Sequence, residues 1–121
     1  MTAADFSLEW ARAFALTLVV EWAVAIPLLR RFGASLPRVV ALVTFAQLVT
    51  HPVVWFVLPG LPVPRLAFLV VAETWAWLGE ALFYAVTLPA LPRRRALGVA
   101  LLANATSLGL GLAARALGVP V

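Results

Sequence analysis

The 121-residue chain has no cysteine. Disulfides, thiolate metal sites, iron–sulfur clusters and thiol nucleophiles are therefore excluded. Lysine is missing as well, and all nine basic residues are arginine. A Schiff base to retinal or pyridoxal phosphate, which needs a lysine amine, is excluded with it. Charge is scarce: 12% of residues are Asp, Glu, Lys or Arg, against about a quarter in a soluble domain. His51, Gln47 and Asn104 are each the sole residue of their type. A single histidine cannot ligate haem on both faces within one protomer. No Walker loop, dinucleotide-binding fingerprint, zincin motif or serine-nucleophile elbow occurs, so no catalytic residue is assigned.

Apolar sequence takes the place of what is missing. Hydrophobic residues make up 64% of the chain and the mean hydropathy is +1.06. This is a membrane composition, and it leaves no room for a separate soluble domain. Residues 1–121 are expected to form one integral membrane domain. Four apolar runs, at about residues 8–29, 36–58, 64–88 and 96–117, each reach the ~20 residues that span ~30 Å of hydrocarbon. Pro59, Pro62 and Pro64 with Gly60 break the chain between the second and third runs, and Pro89 and Pro92 between the third and fourth. The expected fold is all-α, a four-helix transmembrane bundle running up-down-up-down.

Orientation follows from arginine. The first and third connections carry Arg30, Arg31, Arg38, Arg93, Arg94 and Arg95, whereas Arg12, Arg65 and Arg115 lie toward the other side. The positive-inside rule then places both termini on the outer side. Asp5 and Glu9, with no basic residue before Arg12, argue against a cleaved signal peptide. The net charge of +4 points to anionic lipid headgroups of the bilayer as partner, not to nucleic acid.

The few polar residues lie inside the runs and in register. Glu73 and Glu80 are seven residues apart, so they share a face, roughly 10 Å apart along the axis. The second run carries Thr44, Gln47, His51 and Trp55, and the fourth carries Asn104, Ser107 and Gly111, at steps of three and four. Glu21 sits near the middle of the first. An ionisable group at the centre of a membrane helix costs at least ~2.5 kcal/mol, so these stripes are expected to face inward. Counting depth from the helix ends, Glu21, Gln47, Glu80 and Asn104 form an inner layer, and His51, Glu73 and Ser107 an outer one.

Two functions fit this pattern. Glu21, His51, Glu73 and Glu80 can bind a cation or relay protons, for transport or sensing, supported by Gln47, Asn104 and Ser107. If the cation is a divalent metal ion, the expected ligands are His51, Glu73 and Glu80, a nitrogen and oxygen set open to zinc, iron or manganese. Alternatively the stripe locks the fold of a non-enzymatic subunit. That subunit would work as a homo-oligomer or as an assembly partner in a larger membrane complex. The small residues Ala103, Ser107 and Gly111, and Ala105 and Gly109, let helices approach closely, within the bundle or against another chain.

The segment Thr50-His51-Pro52-Val53-Val54-Trp55-Phe56, the helix with Glu73 and Glu80, and Ala103-Asn104-Ala105-Thr106-Ser107-Leu108-Gly109 resemble small four-helix bacterial inner-membrane proteins without assigned activity. The resemblance covers the last three runs. It implies the topology and a multi-pass place in the bacterial inner membrane, and no mechanism.

Overall fold

In a computed structural model, described here for residues 2–120, the chain is helical throughout: α1 (Ala3–Arg30), α2 (Leu36–Pro52), α3 (Arg65–Thr87) and α4 (Arg93–Ala116). All four are long and apolar enough to cross a membrane, if the turns that prolong α2 to Gly60 are counted with it. The fold is thus compatible with a small integral membrane protein. Each helix packs on the next in sequence, and α4 closes back onto α1.

The ends of the helices follow from local chemistry. α1 begins five residues earlier than its apolar run, because Thr2 and Asp5 form a capping box. The Asp5 amide donates to Thr2 Oγ1 at 3.2 Å, and the Thr2 amide donates to Asp5 Oδ2 at 2.8 Å. α2 ends at Pro52, which has no N–H to give the carbonyl of Leu48. The chain continues as a π-helical turn over Val53–Val57 and a 3₁₀ turn over Leu58–Gly60. The second run is therefore helical over nearly its expected length, with its last two turns wound differently. α4 takes in Arg93, Arg94 and Arg95, expected in the connection, because Pro92 caps it one residue earlier. Arg38, at the start of α2, donates from Nη2 to the carbonyl of Thr87 at 2.9 Å, satisfying one of the free acceptors at the end of α3.

The distribution of side chains is that of a protein in lipid. Leu66, Leu82 and Val86 are 75%, 67% and 70% exposed, while Glu21 and Glu80 are 0% exposed. An apolar core gathers Leu29, Val39, Tyr84, Leu88, Leu91 and Ala96 near the first and third connections. Small residues line the contacts between helices: Ala25, Ala46, Ala72, Ala81, Ala100 and Ala103 are all buried. Three deep tryptophans lock neighbouring helices through their indole N–H groups. Trp22 donates to Thr44 Oγ1 at 3.0 Å, Trp75 to the Thr50 carbonyl at 3.3 Å and Trp77 to the Leu97 carbonyl at 2.9 Å.

One glycine marks the closest approach. A Cβ built on Gly79 would stand 3.2 Å from Thr50 Cγ2, whereas one on Gly98 or Gly109 meets nothing within 4 Å. Gly79→Leu should therefore lower stability by about 1–3 kcal/mol through overpacking. Gly98→Leu and Gly109→Leu, which point away from the bundle, should not destabilise it. Reversible unfolding in mixed micelles compares the three.

Candidate functional site

The polar stripes meet inside the bundle. Glu80 of α3 is fully buried, and three side chains on two other helices donate to it. From α2, Gln47 Nε2 reaches Oε1 at 2.7 Å and the Thr50 hydroxyl reaches the same oxygen at 3.2 Å. From α4, Asn104 Nδ2 reaches Oε2 at 2.8 Å. The second Nδ2 hydrogen of Asn104 goes to the carbonyl of Ala100, 2.9 Å away. Thr50 is placed differently, because its single hydroxyl hydrogen has two acceptors. Ala46 O lies 3.0 Å from its Oγ1 and Glu80 Oε1 lies 3.2 Å away. One hydroxyl can serve only one acceptor at a time.

Glu21 of α1 completes this layer, but in another way. It is as deeply buried as Glu80, yet neither of its oxygens has a hydrogen-bond partner among the described residues. The Tyr84 hydroxyl is likewise buried and has no hydrogen-bond partner among the described residues.

The outer layer borders a cleft of about 380 Å³ that touches all four helices. His51, Glu73 and Ser107 line it, and Gln47, Thr50 and Asn104 join it to the Glu80 layer. The His51 ring is held among aromatic rings. Its centroid lies 5.3 Å from Phe14, 6.1 Å from Trp55 and 6.4 Å from Trp10, and its Nε2 has no hydrogen-bond partner among the described residues. Ser107 donates to the Asn104 carbonyl of its own helix at 3.0 Å.

Of the residues singled out in the sequence, Gln47, Glu80 and Asn104 are joined directly, Glu21 lies beside them, and His51, Glu73 and Ser107 border the cleft. His51, Glu73 and Glu80 are not drawn together as a ligand set. Among the described residues, no three His, Asp or Glu side chains are grouped closely enough to hold a metal ion. Sequence reasoning missed Thr50 and the part played by Tyr84. Thr50 follows Gln47 by three residues, and Tyr84 follows Glu80 by four, so helical register alone placed both on the polar faces. It could not show that Thr50 reaches Glu80, or that the Tyr84 hydroxyl is buried without a partner among the described residues.

Removing a donor to Glu80 should matter more than removing a bond within one helix. Asn104→Ala should destabilise the protein by about 1–2 kcal/mol, and Ser107→Ala by no more than about 0.6 kcal/mol. In a double-mutant cycle, the cost of Asn104→Ala should shrink by about 0.6–1.7 kcal/mol when Glu80 is already alanine. Unfolding titrations of the four proteins in mixed micelles give both values. In comparisons with protein-family models, curated proteins and solved structures, nothing matches this chain.

Proposed function

We propose that this is a small multi-pass protein of the bacterial inner membrane, running up-down-up-down with both termini outside. In this reading it binds a proton at the Glu21–Glu80 pair and exchanges it through the cleft beside His51 and Glu73, for transport or for sensing. The observation that carries the proposal is Glu21, a fully buried carboxyl with neither oxygen partnered, beside a second fully buried carboxyl. Two unneutralised negative charges there would each bear the cost of a buried ion. A shared proton removes one charge and supplies a hydrogen bond. A divalent metal ion is a poorer candidate than a proton, because the ligands it needs do not converge.

A second reading has its own support. Gln47 and Thr50 from α2 and Asn104 from α4 all converge on one carboxyl of α3. A hydrogen-bonded node of this kind also suits a non-enzymatic subunit or assembly partner whose polar core holds its fold.

Infrared difference spectra of the reconstituted protein separate the two. A proton site should give a carboxylic-acid carbonyl band that rises and falls with pH and is lost in Glu21→Gln or Glu80→Gln. Proteoliposomes under an imposed pH gradient should then pass protons faster than empty vesicles if the task is transport. A protein with no titrating carboxyl band favours the structural subunit.

Orientation is tested separately. It rests on six arginines toward one side against three toward the other. Cysteine introduced at Thr2 or Gly118 should react with an impermeant maleimide added outside intact cells. Cysteine at Gly33 should react only after lysis, and the reverse pattern would invert the topology.

A further inference from the structure

The cleft has a chemical polarity that the proton pair does not use. Its volume of about 380 Å³ falls within the range of cavities that take small organic ligands. Much of its wall is apolar or aromatic, with Phe6, Leu16, Trp55, Phe68 and Leu108 among the lining residues. The inner end is different. Gln47 and Asn104 turn their amide N–H groups to Glu80, and the Ser107 hydroxyl hydrogen goes to the Asn104 carbonyl. Each of these three side chains retains an acceptor oxygen, and Gln47 also keeps its second amide hydrogen, which has no acceptor among the described residues. Glu73, half-buried, adds a carboxyl to the same wall.

The remaining charged groups stand at the mouth. Arg65 and Arg115 line the cleft and are exposed. Arg65 precedes Glu73 by eight residues on α3, about 12 Å along the helix axis. Positive charge therefore belongs to the solvent end and acceptors to the inner end. A ligand anion placed at the inner end would face Glu73 and a set of lone pairs. A cation with N–H donors there would meet a carboxyl and up to three acceptor oxygens, with aromatic rings along the wall that also attract cations.

We propose that the cleft binds a protonated aliphatic amine. Its ammonium group lies against the Glu73 carboxyl, on the side toward Gln47 and Asn104, and its hydrocarbon chain runs along Leu16, Phe68 and Leu108 toward the mouth. The amine site uses Glu73 as its ligand, whereas the proton is held at Glu21 and Glu80 and only passes Glu73 on its way out, so amine titration and the carboxyl infrared band report the two readings separately.

The test is isothermal titration of the full chain in detergent with n-hexylammonium, n-hexanol and hexanoate. Saturable binding is expected for hexylammonium, and none for hexanol or hexanoate. Glu73→Gln should weaken hexylammonium binding by about tenfold or more, the effect of losing a charge-assisted hydrogen bond. Leu108→Trp, which fills the cleft without touching a charge, should abolish it, so the test does not depend on Glu73→Gln folding. The proposal is overturned by any of three results: no saturable binding of hexylammonium, hexanoate binding equally well, or wild-type affinity in folded Leu108→Trp. The carboxyl infrared band, read on the same preparation, reports the Glu21–Glu80 pair independently.

Discussion

A polar group surrounded by hydrocarbon finds its partner inside the protein or goes without. Glu80 is where this constraint bears hardest. Its two oxygens are approached by Gln47, Thr50 and Asn104, so one carboxyl on α3 ties α2 and α4 to the same point. The helices approach closely here: Gly79, the residue before Glu80, leaves room for the Thr50 methyl group, which would stand 3.2 Å from a Cβ at that position. The alanines at the buried helix contacts serve the same end. Association in lipid gains little from the hydrophobic effect, so a hydrogen-bonded node among small residues is a natural way to hold helices whose outer faces are leucine and valine.

The bundle divides into two halves of different character. Near the first and third connections it is dry, with Leu29, Val39, Leu88 and Leu91 packed around Tyr84. Toward the second connection it opens into the cleft, bordered by His51 and Glu73. The boundary is the layer holding Glu21 and Glu80. A carboxyl pair at that boundary has an apolar seal on one side and a polar approach on the other, the arrangement the proton reading needs. Pro52 adds a local departure on the open side. The π-helical turn after it carries Val54 and Trp55 on the cleft wall, and Trp75 fastens the Thr50 carbonyl just before it.

Much of this was legible before any coordinates. The four runs are visible because each needs about 20 apolar residues to cross hydrocarbon, and three- and four-residue steps reveal which polar residues share a face. Gln47, Glu80 and Asn104 were grouped at one depth by counting, and they bond as that grouping implies. The errors lie where local chemistry prevails over hydropathy. The capping box of Thr2 and Asp5 extends α1 beyond its apolar run, and Pro92 draws the arginines into α4. Periodicity cannot see the change of winding after Pro52, because the π-helical segment is only Val53–Val57, too short to establish a period of its own.

The helices, their approximate ends and their inward faces could be read from the residues alone, because these depend on length, periodicity and the cost of exposing charge to lipid. Only the tertiary structure decided how the inward groups were shared out. Glu80 receives three donors and Glu21 none, although both are glutamates in apolar runs. His51 is enclosed by Trp10, Phe14 and Trp55 instead of meeting Glu73 and Glu80 in a metal site. The difference arises from helix rotation and crossing. A rotation of a few tens of degrees leaves every residue on its own face, yet it decides which side chains come within the 3 Å over which a hydrogen bond or a ligand bond forms.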